Sequence, residues 1–312
     1  MEIGETWMKW AVMEGGTKVV KRMTMKFAGV SGQSMAGAFA FTMMDGIVQL
    51  IGGYVGGRLR NQSILVTPGQ ILGGILFGII ATGMTVLGVL AFLYPDADAG
   101  VITFLVTMSI IPGALIDWQF FNHPLNSRQC LGVFAYLLAG YAILDFPGLA
   151  RLANLPIWVW LGISIAILGA VNEAITQAVR KMDPLVNNFW IGLTTIICCV
   201  SGLYVISGWD FFRVATGAFW FVALVAGIDT LGMISFKLLS YKGGGSIALK
   251  KLIMQGTHLV GSVIFGILLF GESITAGKII GTGGFFMAFS LMDKGTWEYV
   301  SFLFQARRPK EA

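Results

Sequence analysis

The 312-residue chain is 56% hydrophobic and only 12% charged, with a mean hydropathy of +0.78. That is more apolar surface than one soluble core can hide, so much of it has to face lipid. The net charge of +5 does not mark a nucleic-acid binder, because the basic residues stand singly or in pairs between apolar blocks rather than in one patch.

Those blocks run to roughly 20 residues, enough to cross about 30 Å of hydrocarbon as helices, and they lack the alternating polarity of a barrel. The expected fold class is an all-α integral membrane protein of about ten transmembrane helices. The first candidate span, from about Trp7 to Val20, is short and carries Lys9, Glu14 and Lys18, so hydropathy alone does not support it. Spans are then expected at about 35–57, 70–94, 99–121, 129–146, 156–180, 186–207, 214–236, 247–270 and 276–293. The first 30 residues carry charges where the apolar core of a cleavable signal would stand, so none is expected. Cys130, Cys198 and Cys199 all fall in expected helices and read as small core residues, with no metal site and no disulfide framework. Trp158, Trp160 and Trp209, near span ends, read as interface anchors. Paired glycines such as Gly52-Gly53 and Gly56-Gly57 read as places where helix backbones approach closely.

The two halves of the chain resemble each other. Glu14, Thr17, Val20 and Met23 recur at one offset as Glu173, Thr176, Val179 and Met182, with a basic pair before the methionine in both copies. Gly83, Leu87, Gly88 and Phe92 recur as Gly227, Leu231, Gly232 and Phe236, and Gly132 as Gly281. Residues 1–146 and 156–295 therefore read as two five-helix repeats joined by a linker, 147–155, and followed by a cytoplasmic tail, 296–312. Because five is odd, the second copy enters the membrane upside down, as in alternating-access transporters. Placing both termini in the cytoplasm puts Arg58, Arg60, Arg128, Arg180, Lys181, Lys237, Lys242 and the basic tail inside, and Asp96, Asp98 and Asp145 outside. Lys18, Lys21, Arg22 and Lys26 then lie toward the outer end of the first helix, against the usual bias.

The segment from Gly271-Glu272 through Gly281 to Gly283-Gly284 resembles the closing signature of EamA-type proteins in the drug/metabolite transporter superfamily: a Gly-Glu turn, then a helix that starts shortly before a glycine. Residues 122–132 are the first-half counterpart, with His123 where that motif usually shows Glu. The resemblance implies a ten-helix fold whose central cavity is lined by helices 1–4 and 6–9 and braced by helices 5 and 10. Short loops fit a bacterial or archaeal plasma membrane.

An ionisable group at the centre of a membrane helix costs about 2.5–3.5 kcal/mol on insertion scales, so each calls for a reason. Glu14, Asp45, Glu173, Asp229 and His258 are the expected substrate-binding or proton-coupling residues. Glu14, Lys18 and Lys21 share one helical face, as do Glu173, Gln177 and Arg180. These stripes either line the cavity or neutralise themselves. Asp45 has Gln49 at i+4, which can bond it without cancelling its charge, and His258 is an expected partner or proton relay. Gln49, Gln177, Asn187, Trp190 and Tyr204 are further candidates for the cavity wall, with Asn187 or Asn188 alternatively capping its helix. Gly243-Gly244-Gly245 lacks the Walker lysine-serine pattern and is no nucleotide loop. With His123 and His258 its only histidines, the chain is a poor candidate for an enzyme, and no cofactor is expected.

The expectation is a secondary active transporter of a small polar or amphiphilic metabolite, working by proton-coupled efflux or exchange. An acidic central cavity of Asp45, Asp229 and Glu173 would favour amines or other cationic solutes. Alternatives are a carrier of neutral solutes such as amino acids or sugars, a channel, and a non-transport membrane scaffold. The expected partners are a small-molecule substrate and the lipid bilayer, with a homodimer left open and no nucleic acid.

Overall fold

A computed structural model describes residues 3–32, 34–109, 111–112, 126–146, 148, 154–179, 181–242 and 247–292. Among the described residues every regular element is helical: α1 (Ile3–Gly32), α2 (Met35–Leu59), α3 (Pro68–Ala91), α4 (Ala99–Thr107), α5 (Ser127–Ile143), α6 (Ile157–Val179), α7 (Pro184–Val205), α8 (Gly217–Lys242), α9 (Ile247–Phe270) and α10 (Ala276–Met292). A 3-10 turn, Gly208–Asp210, and a single helical turn, Phe211–Val214, join α7 to α8. Six of these helices, α2, α3, α6, α7, α8 and α9, are long and apolar enough to cross a membrane, as in a multi-pass membrane protein. The helices α5 and α10 are apolar but shorter, at 17 residues each. Residues 113–121 of the expected fourth span, the Gly243-Gly244-Gly245 loop and the 296–312 tail lie outside the described residues.

The first helix differs most from its hydropathy. At 30 residues it is about 45 Å long, ample for a membrane, yet it carries too many charges to look like a span. Those charges turn inward: Glu14 is fully buried, and Lys21, Arg22 and Lys26 are 4%, 5% and 8% exposed. The topological charge bias concerns loops in water, and these side chains sit among other helices instead.

Local chemistry fixes the helix starts. Ser34 accepts the Gly37 N–H at 3.0 Å to open α2, and Asp98 accepts the Val101 N–H at 3.0 Å to open α4. At α7 it is Asp183 that caps, accepting from Leu185 N–H at 2.8 Å ahead of Pro184 at the first helical position. Asn188 instead donates from Nδ2 to the Pro184 carbonyl at 2.9 Å, within the helix, so neither asparagine is the cap.

The packing pairs follow a pattern. The helix α1 lies on α8 and α9, while α6, five helices later, lies on α3 and α4. In the same way α2 meets α8 and α7 meets α3. The pairs α2 with α7, α4 with α9 and α5 with α10 each join a helix to the one five places on. The α2–α7 seam depends on missing side chains: a Cβ on Gly53 would stand 2.6 Å from the Leu185 carbonyl oxygen, too close for any other residue without moving a backbone.

Candidate functional site: a charged central cavity

Between the helix sets lies a cavity of about 170 Å³. From α1 come Lys18, Lys21 and Arg22, and from α2 Asp45 and Gln49; α6 supplies Asn172 and Glu173, α8 Lys237, and α9 Gln255 and His258. Apolar and hydroxyl side chains, Phe77, Met84, Thr85, Ile165 and Ile234 among them, fill the rest of the wall.

Most of these charges are paired. The ammonium of Lys21 donates to Asp45 Oδ2 and lies 4.9 Å from the centre of the Phe41 ring. Elsewhere on the wall, Lys237 pairs with Glu173 at 3.0 Å and donates to Asn172 Oδ1 at 3.0 Å, with its ammonium 5.4 Å from the Phe77 ring centre. Lys18 pairs with Glu14, one helical turn back, at 3.0 Å. Arg22 is different. Its guanidinium has no acidic partner among the described residues, and its Nε and Nη1 are buried without donating a hydrogen bond to any described group; Phe92 is its aromatic neighbour, 5.9 Å away.

The expected site residues divide into three groups. Asp45, Glu173, His258 and Gln49 stand on the wall. Glu14 lies just behind it, tied to Lys18, and Asp229 is also set back, near enough to Lys21 and Asp45 to feel both charges, with Oδ2 buried and unbonded among the described residues. The others are elsewhere: Asn187 is fully buried against Gly74, Trp190 donates from Nε1 to the Ile64 carbonyl at 3.1 Å, and Tyr204 is 75% exposed on the outer surface. The side chain of Gln177, like His123, falls outside the described residues.

The expectation of an acidic cavity is corrected, because its wall carries Lys18, Lys21, Arg22 and Lys237 against Asp45 and Glu173. Sequence reading missed Arg22 and Lys237 as wall residues because the charge bias assigned them to membrane surfaces. The one signal that pointed inward was the shared helical face of Glu14, Lys18 and Lys21, to which Arg22 belongs as the i+4 neighbour of Lys18.

A second charged cluster begins one helical turn beyond Arg22 along α1. Lys26, near the C-terminus of α1, donates to Glu272 and to the Ala97 carbonyl, the latter at 3.1 Å. Glu272, just after α9, also accepts the Ala99 N–H at 2.7 Å and lies 3.6 Å from Lys278 of α10. Lys278 pairs in addition with Asp98 and donates to the Ser273 carbonyl at 2.7 Å. The cluster thus joins α1, α4, α9 and α10. Burial pushes the Glu272 carboxyl up from its ordinary value and nearby Asp98 adds to this, while the hydrogen bonds from Lys26 and Ala99 oppose it. Trp158, expected as an interface anchor, is buried and donates from Nε1 to Asp96 Oδ2 at 3.0 Å; Trp160 and Trp209 are exposed.

No protein-family model and no curated protein matches the chain. Solved structures do match it, among them a crystal structure described only as that of a protein, with a TM-score of 0.63 and 15% identity over 93% of this chain and 98% of the other. The likeness is one of fold alone.

Proposed function

We propose that the chain is a secondary carrier that moves a small solute by alternating access. The observation that carries this reading is a central cavity walled by lysine–carboxylate pairs, with the Lys26, Asp98, Glu272 and Lys278 clamp starting one helical turn farther along α1. Pairs facing open space can be traded for contacts to a solute. The clamp can break as a unit to expose the cavity on the other side.

The packing pattern supports two inverted repeats, because exchanging each helix for the one five places away preserves the main helix pairs. In this reading α1 to α10 all cross the membrane, residues 1–146 and 156–295 are the repeats, and the chain is a distant EamA-type member of the drug/metabolite transporter superfamily in a bacterial or archaeal plasma membrane with both termini cytoplasmic. Asp45 and Asp229 carry a coupling proton, Asp45 when Lys21 turns to the solute. No step of covalent chemistry is assigned to the chain.

The test is counterflow. Proteoliposomes preloaded with small organic acids, amines or sugars are diluted, and uptake of the matching labelled solute is followed. A carrier gives a transient overshoot that vanishes in D45N and E173Q. Flux without trans-acceleration would mean a channel, and no flux in any pool would remove the transport reading.

A further inference from the structure

Nearly every cation on the cavity wall already has its counter-charge: Lys18 has Glu14, Lys21 has Asp45 and Lys237 has Glu173. Arg22 is the exception among the described residues. It is 5% exposed, it faces the cavity, and two of its three nitrogens make no hydrogen bond with any described group. A guanidinium is always charged and offers five N–H donors in a planar fork, so burying it unpaired is costly unless something supplies the missing acceptor. His258, within electrostatic reach of both Arg22 and Lys18, adds a further unmet group, Nε2, on the same side of the cavity.

We infer that the solute is a small organic oxyanion whose carboxylate or phosphate group is gripped by Arg22, with His258 beside it. This rests on the carrier reading above and deepens it. A carboxylate matches the Arg22 fork in a bidentate way, and a phosphate monoester offers the same paired oxygens. The remainder of the solute lies toward Phe77, Met84, Ile165 and Ile234, with Thr85 and Ser109 as hydroxyl partners. A cavity of 150 Å³ holds a molecule of benzene's size, so the 170 Å³ here suits a solute of roughly six to ten non-hydrogen atoms. A cationic solute would have to enter beside four basic side chains, and Asp45 and Glu173 would need to release their lysines to receive it.

The test measures thermal stabilisation of the full-length protein in detergent by lactate, glycerol 3-phosphate, glycerol and ethanolamine. A saturable rise with lactate or glycerol 3-phosphate, and none with glycerol or ethanolamine, is expected, and the stronger of the two anions names the head group. R22Q should raise the Kd for that anion at least about tenfold, and R22K by less, since a point charge keeps the attraction but loses the fork. If R22Q does not unfold cooperatively, R22K carries the comparison, and an unchanged Kd there overturns the assignment. No shift with either anion, or an ethanolamine shift that survives in R22Q, also overturns it. Counterflow separates the two readings: anion binding without counterflow keeps the Arg22 site and removes the carrier, whereas ethanolamine counterflow without anion binding keeps the carrier and removes the site.

Discussion

The cavity wall and the Lys26, Asp98, Glu272 and Lys278 clamp are both built from buried lysines and carboxylates, yet they are wired differently. In the clamp, Lys26, Asp98, Glu272 and Lys278 share partners with one another and with backbone groups at Ala97, Ala99 and Ser273. In the cavity, Lys21–Asp45 links α1 to α2 and Lys237–Glu173 links α8 to α6 as separate pairs, and Arg22 is left over. A cluster with shared partners loses several contacts before any one helix moves, which suits a latch. Separate pairs exchange one partner at a time, which suits a binding site. Buried ion pairs contribute little net stability because desolvation offsets their attraction, so the value of both arrangements lies in which state they select.

Breaking one cavity pair should have the largest effect. K21M leaves Asp45 buried without its cation and should lower stability by about 3–5 kcal/mol, measured by chemical denaturation in detergent, whereas K21M/D45L should recover most of that loss and still fail to transport. Next comes the latch. E272Q removes charge-assisted bonds worth about 1.5–3 kcal/mol, so the clamp should open more often. In a background with Cys130, Cys198 and Cys199 replaced, a cysteine placed at Ala99 should react with a water-soluble maleimide roughly tenfold faster or more in E272Q. An unchanged rate would mean that the cluster is structural rather than a latch.

Arg22 gives a smaller effect of opposite sign. R22Q removes a charge that has no counter-charge among the described residues, so without solute its Tm should match or exceed that of the parent, in contrast to K21M. A fall comparable to that of K21M would show that Arg22 is held by a partner and belongs with the paired lysines. The smallest effect is expected outside both regions: Y204A, on the exposed surface, should change stability by no more than about 0.5 kcal/mol and leave transport intact.

The elements were more legible than the site. Long apolar runs such as Pro68–Ala91 and Pro184–Val205 could be read directly, because lipid imposes helix length and polarity on each segment independently of its neighbours. Asp45, Glu173 and His258 were legible for the same reason, being ionisable groups in such runs. Trp190 and Tyr204 were placed by aromatic character and depth alone, and neither says which way a side chain points: one bonds the Ile64 carbonyl and the other faces outward.

What the sequence determined by itself was the helical membrane class. Only the tertiary structure decided the sign of the cavity, because that depends on which side of α1 its charges occupy and on the carboxylates that α2 and α6 bring to meet them. Hydropathy averages over a helix's circumference. Lys21, Arg22 and Lys26 weigh against a span in that average, and they become buried only once α8 and α9 cover α1.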